Sequence, residues 1–147
     1  MKKRAYKEPI SRLLSIIHRQ NQKNIAKLLQ PYGIGGGHHY IFLINVLKKP
    51  GINQDQLTCE LKFDKATTAR SIKQLEELGY VDRKIDPGDR RSYQLHPTEK
   101  ALQFDPTLRS LLEQANRKLT RGLTEEEEVE LIMLLQKVNQ ASIQEEV

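Results

Sequence analysis

Apolar residues recur at three- and four-residue steps at the start of the chain, a spacing that predicts amphipathic helices. A first helix is predicted over residues 9–29 and a second over residues 38–48, with Pro50 soon after its end. Between them the run of glycines at 35–37 breaks helical regularity, because glycine is entropically costly inside a helix. We interpret these glycines as a flexible junction between the two helices.

Two capping signals predict a pair of short helices in the middle of the chain. Asn53, with a glutamine three residues later, resembles a capping box that opens a helix ending at about residue 62. Asp64 is the expected N-cap of a helix over residues 65–78, and Gly79 is its expected C-cap. Two short helices joined by a short turn predict a helix-turn-helix.

After this helix pair the residue types change to those of β-strands. Residues 80–85 and 92–95 are predicted to be two strands of a β-hairpin with a charged loop. The pair Pro87-Gly88 suits the centre of a type II turn. A hairpin that directly follows a helix-turn-helix is typical of a winged helix.

The rest of the chain is predicted to be helical, over residues 98–121 and from residue 123 onward. Thr124 and Glu127 have the spacing of a capping box at the start of the last helix. The expected fold class is therefore mainly α with a small β-hairpin, a winged helix-turn-helix preceded and followed by further helices.

Length and composition restrict the class of protein. At 147 residues the chain has the size of one domain. No segment approaches the ~20 consecutive apolar residues of a membrane-spanning helix, so we expect a soluble, cytoplasmic protein with no membrane partner. The single cysteine, Cys59, excludes a disulfide within one chain.

Charge is distributed unevenly along the chain. Residues 1–47 carry 8 Lys or Arg and 1 acidic residue, residues 48–100 carry 11 and 9, and residues 101–147 carry 5 and 9. The net charge of +5 is modest and by itself favours nucleic acid no more than a membrane surface. The positions of the cations must decide, and Lys2, Lys3 and Arg4 are expected to form a solvated basic tail.

A winged helix directs its second short helix and its hairpin toward DNA. The helix over 65–78 has the width of the major groove, and the arginines of the hairpin tip would extend to the minor groove, where arginine senses groove width and negative potential. The alternatives are a solvated helix face and a hairpin whose charges only maintain solubility. The side chains predicted to face the duplex are Lys65, Thr67, Thr68, Arg70 and Ser71 on the helix, and Arg90 and Arg91 on the hairpin.

Four segments follow one another between residues 64 and 101: Asp-Lys-Ala-Thr-Thr-Ala-Arg, Gln-Leu-Glu-Glu-Leu-Gly-Tyr-Val-Asp-Arg, Asp-Pro-Gly-Asp-Arg-Arg and Pro-Thr-Glu-Lys-Ala. In this order they resemble the MarR family of bacterial winged-helix regulators, and the resemblance is specific over residues 54–101. The chain departs from the family at His96 and Pro97, where an apolar or small residue is usual.

The resemblance implies the roles of particular residues. Ala66, Thr67 and Arg70 match positions of the recognition helix that contact DNA. The Asp-x-Arg wing motif of the family falls on Asp89 and Arg91, where the acid would brace the guanidinium that enters the minor groove. Arg90 would contact a phosphate.

The resemblance also implies a homodimer on a palindromic operator. It divides the chain into a dimerisation helix over 1–34, a DNA-binding winged helix over 35–97 and dimerisation helices over 98–147, within one structural domain. The residues agree, because the apolar stripes of the terminal helices are too long for a small winged core to cover. The expected function is a DNA-binding transcriptional regulator, most simply a repressor that a small-molecule effector releases from double-stranded DNA.

Other residues allow several interpretations. His38 and His39 could line the effector pocket that relatives hold beside the dimerisation helices; a metal site is less favoured, because adjacent histidines diverge on a helix. Cys59 is interpreted as a small buried residue rather than a redox switch. No phosphate loop or nucleophile motif is found, so neither an enzyme nor a cofactor is expected. The rival class is a winged helix that docks an acidic protein.

Overall fold

The structure is a computed structural model that describes residues 9–145, and the predicted Lys2, Lys3 and Arg4 tail lies outside them. Within these residues the fold is mainly helical with one β-hairpin, as predicted. None of the helices described is long and apolar enough to cross a membrane. In chain order the elements are α1 (Ile10–Leu29), a 3-10 turn (Gln30–Tyr32), α2 (His39–Lys48), α3 (Gln54–Leu61), α4 (Lys65–Glu77), β1 (Val81–Asp86), β2 (Asp89–Pro97), α5 (Glu99–Thr120) and α6 (Glu125–Glu145).

The chain forms two compact units, Met1–Leu112 and Glu113–Val147. The first contains α1 to β2 and the start of α5, and the second contains the end of α5 and α6. This boundary falls inside α5. The predicted division into dimerisation and DNA-binding parts stays a prediction about function.

The predicted caps of α3 and α4 are confirmed. At α3 the Gln56 main-chain N–H donates to Asn53 Oδ1 at 2.8 Å, and the Asn53 N–H donates to Gln56 Oε1 at 3.0 Å. At α4 the Thr67 N–H donates to Asp64 Oδ1 at 2.6 Å. These side chains satisfy main-chain donors that have no partner inside their own helix, which fixes where the two short helices begin.

The end of α4 fixes the direction in which the chain enters the hairpin. Gly79 has φ +81° and donates to the Glu76 carbonyl at 3.0 Å, while Tyr80 N–H donates to the Leu75 carbonyl at 2.9 Å. This pair of bonds is the Schellman motif, in which glycine takes the left-handed conformation without steric cost.

The hairpin differs from its prediction at the tip. The strands continue to Asp86 and Asp89, so Pro87 and Gly88 alone form the turn. Gly88 does not have the positive φ that a type II turn needs, and its N–H donates instead to Asp86 Oδ1 at 2.8 Å. The type II prediction is therefore wrong, because the aspartate side chain stabilises a different turn.

A bulge on β2 contains the predicted tip arginines. Ile85 pairs with Tyr93 and Asp86 pairs with Asp89, so Arg90–Ser92 face no residue of β1. Arg90 and Arg91 thus lie on a bulged strand rather than in the six-residue loop that the sequence predicted. Such bulges bend a strand and redirect its side chains.

The core of the first unit lies between α2, α3, α4 and the base of the hairpin. It is built from large side chains that are fully buried. The Gly51-Ile52 segment joins β2 through two main-chain hydrogen bonds with Leu95, of 2.7 and 2.9 Å. The fully buried side chains of these elements include Phe42, Leu43, Leu57, Ile72, Leu75 and Leu95.

Cys59 is exposed, so the prediction that it is buried is wrong. It lies on the short helix α3, which buries Leu57. Two residues along a helix correspond to a rotation of about 200°, so Cys59 points away from the buried face.

The glycine junction offers a matched test of packing. A Cβ on Gly35 would lie 2.7 Å from the Ala26 carbonyl oxygen and 2.9 Å from Gln30 Cα, whereas a Cβ on Gly36 would have no atom within 4 Å. We expect Gly35→Ala to lower the free energy of unfolding by about 1–3 kcal/mol, because main chain must move.

The neighbouring Gly36→Ala is the control and should be neutral or stabilising by about 0.5 kcal/mol, since alanine restricts the unfolded chain. Urea unfolding measures both. Equal effects of the two substitutions would contradict close packing of Gly35 on α1.

Candidate nucleic-acid interface

The exposed face of α4 carries the side chains that can meet a partner. Ala66, Arg70, Lys73 and Glu77 are exposed at steps of four, three and four residues, which places them in one stripe along the helix. Lys65 is exposed at the first position of the helix, and Thr67 is half-buried. The predicted contact residues Lys65, Ala66, Thr67 and Arg70 are therefore accessible.

Two residues predicted on this outward face lie on the opposite side. Thr68 is fully buried and Ser71 is 3% exposed. They belong to the inward stripe with Ile72 and Leu75, at steps of three, one and three residues. Their prediction as duplex-facing residues is corrected, because small polar side chains were assigned outward by residue type rather than by this spacing.

Thr68 has a structural role between the two helices of the helix-turn-helix. Its Oγ1 lies 2.8 Å from Thr58 Oγ1 on α3 and donates to the Asp64 carbonyl at 3.1 Å. A buried hydroxyl needs such partners, since an unsatisfied polar group inside a protein is costly. No local pattern in the sequence signals this bridge.

The first turn of α4 holds a chain of three side chains. Thr67 Oγ1 donates to Asp64 Oδ2 at 3.0 Å, and Arg70 Nη2 donates to Thr67 Oγ1 at 3.3 Å. The Thr67 main-chain N–H, its hydroxyl and the charge of Arg70 lower the pKa of Asp64. Asp64 is therefore an ionised acceptor that orients Thr67.

The wing residues Asp89, Arg90 and Arg91 are all exposed. Asp89 Oδ1 accepts a hydrogen bond of 3.0 Å from the main-chain N–H of Arg91. Asp89 therefore braces the main chain of Arg91. The resemblance implies a contact with the Arg91 guanidinium instead. This bond stabilises the bulge from which both arginines project.

Arg83 ties the wing to the recognition helix, and sequence reasoning missed it. Its Nε lies 3.3 Å from Glu76 Oε2 on α4, and its guanidinium carbon lies 5.8 Å from the ring centre of Tyr93 on β2. Both charged side chains are partly exposed, so water screens the attraction and its contribution to stability is small. Arg83 instead helps to hold the wing in position relative to α4, since it contacts both elements of the interface.

A polar cleft separates the wing from the start of α3. Arg91 and Ser92 line it from the wing, and Gln54 and Asp55 line it from α3. The cleft therefore has arginine on one wall and the N-terminus of a helix on the other. Arginine and a helix N-terminus attract phosphate, whereas the carboxylates of Asp55 and Asp89, which also line the cleft, repel it.

The rings of His38 and His39 have different neighbours in the part of the chain that the structure describes. The His38 ring lies 4.9 Å from the ring of Phe63 and 6.3 Å from that of His18, and its Nδ1 is 3.5 Å from Gln22 Nε2. That both histidines line an effector pocket beside the dimerisation helices stays a prediction. Adjacent positions at the start of α2 direct the rings to different neighbours.

His39 instead faces the recognition helix. It lines an open depression of ≈ 390 Å³ together with Arg70, Lys73, Gln74 and Glu77. Its Nδ1 is buried and has no hydrogen-bond partner among residues 9–145. Burial, and secondly the charge of His38, lower the pKa of His39.

Metal binding has no geometric support in the described residues. Within them no three His, Cys, Asp or Glu side chains lie together as metal ligands would.

The fold and the exposed face of α4 define the class of winged helix-turn-helix proteins. The sequence model of the MarR family matches residues 39–93 of this chain. Over 99 residues the chain is 34% identical to the HTH-type transcriptional regulator YybA of Bacillus subtilis (strain 168), covering 67% of this chain and 66% of that one.

Solved structures agree with this match. A MarR transcriptional regulator from Methanosarcina mazei Go1 is 34% identical, with a TM-score of 0.89 over 94% of this chain and 99% of that one. A MarR family regulator from Listeria monocytogenes complexed with 26mer DNA is 29% identical, with a TM-score of 0.82 over 92% and 89% of the two chains. The chain belongs to the MarR family.

The position of His39 predicts a pH dependence of stability. The pKa of His39 in the folded protein is below the ordinary 6.5. As the pH falls through 6.5, His39 in the unfolded chain therefore binds a proton more readily than His39 in the folded protein. The free energy of unfolding should fall on acidification, and should fall less in His39→Gln. Urea unfolding at about pH 7.5 and about pH 5.5 measures this difference. An equal fall in both proteins would show that His39 is not responsible.

Proposed function

We propose that the protein is a sequence-specific DNA-binding transcriptional regulator that acts as a homodimer. The observation that carries the proposal is the exposed stripe of α4 with Arg70 and Lys73, which lies on the same unit as the exposed arginines of the wing. A recognition helix of this kind enters the major groove, while arginine suits the adjacent minor groove. The DNA complex of the Listeria monocytogenes relative supports the same use of the fold.

In this proposal the interface residues have separate roles. Arg70 and Thr67 contact base edges, and Lys65 contacts the base edges or phosphates at the start of the helix. Arg91 enters the minor groove, and Arg90 contacts a phosphate. Phosphate contacts add affinity for every sequence, whereas base contacts produce discrimination.

Apolar surface on α1 supports a homodimer. Five large side chains of its first half are between 41% and 56% exposed. A soluble chain rarely leaves so many large apolar side chains together in water. They are Ile10, Leu13, Leu14, Ile16 and Ile17.

The second unit shows the same property more strongly. Eight large apolar side chains of α6 are between 37% and 58% exposed, and no residue of α6 over 125–144 is buried. A second copy of the chain is the proposed cover for both helices. Two copies would place two recognition helices about 34–36 Å apart, one turn of DNA.

The regulator is proposed to be a repressor that a small molecule releases. A dimer that binds two half-sites at once binds DNA more tightly than one subunit does, because the second half-site is bound within the same complex. A ligand that changes the separation of the two recognition helices removes this gain. The proposed binding site of such a ligand lies beside the dimerisation helices and is lined by His38 and His39.

The rival class remains a winged helix that docks an acidic protein. Arg70 and Lys73 on the exposed stripe of α4 would suit either partner. A duplex, however, makes salt-dependent contacts through many phosphates. A gel-shift titration against DNA flanking its own gene, repeated at several salt concentrations, distinguishes them. Absent or salt-insensitive binding would favour the rival.

Substitutions of the two arginines should separate affinity from specificity. Arg90→Gln should weaken binding to every sequence and reduce the salt slope by about one unit per subunit, since one phosphate contact is lost. Arg70→Ala should instead reduce discrimination between operator and random duplex by ~1–3 kcal/mol if it meets a guanine. Both are measured by the same titrations.

Lys27→Gln on α1 is the matched control, because it removes one positive charge outside the proposed interface. Its salt slope should be that of the wild type. If Arg70→Ala leaves the discrimination intact, the assignment of Arg70 to a base is wrong.

Charge placed on the exposed apolar faces should prevent dimerisation. Ile17→Glu and Leu134→Glu would bury a carboxylate in the proposed interface, which costs several kcal/mol. Sedimentation equilibrium should show a dimer for the wild type and a monomer for both variants. Gln144→Glu, which adds the same charge near the end of α6, should remain dimeric, and a monomeric wild type would refute the homodimer.

A further inference from the structure

The hydroxyl group of Thr67 has only one hydrogen, and the neighbouring groups determine where it goes. Oγ1 donates it to Asp64 Oδ2 at 3.0 Å. An ionised carboxylate can only accept, so threonine must be the donor in this contact. Asp64 is also fixed in place, because its other oxygen accepts the Thr67 main-chain N–H at 2.6 Å.

The outward side of the hydroxyl therefore offers lone pairs alone. Arg70 Nη2 uses one of them, donating to Thr67 Oγ1 at 3.3 Å. This bond also restrains the guanidinium beside the threonine while the other donors of Arg70 remain for a partner. Thr67 thus presents an acceptor, and Arg70 presents donors, on the same turn of α4.

From this arrangement we propose that Asp64, without touching DNA, determines which bases Thr67 selects by keeping its hydroxyl an acceptor. The proposal rests on the proposed function, since it concerns the same recognition helix. In the major groove adenine and cytosine present amino donors, whereas guanine and thymine present acceptors to a side chain at these positions. An acceptor-only Thr67 favours adenine or cytosine at the base it meets and disfavours guanine or thymine.

The low pKa of Asp64 agrees with this role. Hydrogen bonds from the main chain and then the hydroxyl of Thr67 are its largest causes. The carboxylate is therefore ionised at neutral pH and remains an acceptor for the Thr67 hydroxyl.

Asp64→Asn tests the proposal with a small change of shape. The amide oxygen can still accept the Thr67 main-chain N–H and cap the helix, while the amide nitrogen can donate to Thr67 Oγ1 and free its hydrogen. Enrichment of bound duplexes from a random pool first defines the wild-type half-site. Affinities for the four base pairs at each position are then measured for the wild type and the variant.

We expect the wild type to favour adenine or cytosine at one position of the half-site. Asp64→Asn should shift that position toward guanine or thymine by roughly threefold to tenfold, the worth of one hydrogen bond. Thr67→Ser keeps the hydroxyl and should keep the wild-type preference. Thr67→Val removes it and should lose the preference at that position alone.

Two controls separate this role from charge and folding. Glu99→Gln, on the first turn of α5, removes an exposed acid that does not contact Thr67, and it should leave base preference unchanged. Added to Thr67→Val, Asp64→Asn should have no further effect on preference, because no hydroxyl remains to be reoriented. Thermal unfolding of each variant checks that α4 is intact.

Four results are decisive. An equal effect of Asp64→Asn on all base pairs, or an effect that persists in Thr67→Val, overturns the role of Asp64 while DNA binding stands. A wild-type protein that enriches no duplex overturns the proposed function itself. A shift toward guanine or thymine that Thr67→Val abolishes supports the proposal.

Discussion

The anchoring of Tyr80 is the interaction on which the geometry of the winged helix depends. Its main chain completes the C-terminal cap of α4, and its hydroxyl donates to the Tyr32 carbonyl at 3.0 Å. Its ring lies 5.4 Å from that of Phe104 on α5. Burial, and secondly Tyr32, raise the pKa of Tyr80, so the phenol stays a neutral donor. One residue thus joins the recognition helix to the loop after α1 and to α5.

Neighbouring contacts strengthen this junction. Lys100 Nζ donates to the Leu78 carbonyl at 2.6 Å and lies 4.4 Å from the centre of the Tyr80 ring. Thr98 Oγ1 donates to the Gly79 carbonyl at 2.5 Å and accepts from the Ala101 N–H, which begins α5 as expected despite His96 and Pro97. A cation at the end of a helix also interacts favourably with its dipole. The direction of the wing relative to α4 is therefore set by main-chain and buried contacts, and the exposed arginines are free to contact a partner.

Local signals made the helices predictable, whereas contacts between distant residues did not show in the sequence. The caps at Asn53, Asp64 and Thr124 depend on residues three positions apart, and all three are present in the structure. The hairpin tip depends on pairing across strands, so its bulge could not be derived from turn residues. On α4 the exposed stripe and the buried stripe lie on opposite sides, and the small polar residues Thr68 and Ser71 were assigned outward by residue type, whereas Arg70 lies outward as predicted.

The bulge at Arg90–Ser92 has a consequence for how such a wing can vary. These residues face nothing on β1, while the pairs from Val81 with Pro97 to Ile85 with Tyr93 hold the base of the hairpin. A residue gained or lost at the bulge leaves that base in register, because its ladder ends before the bulge begins. The segment that carries the arginines can therefore change in length without altering the paired base of the hairpin. Insertions and deletions should be tolerated in this segment.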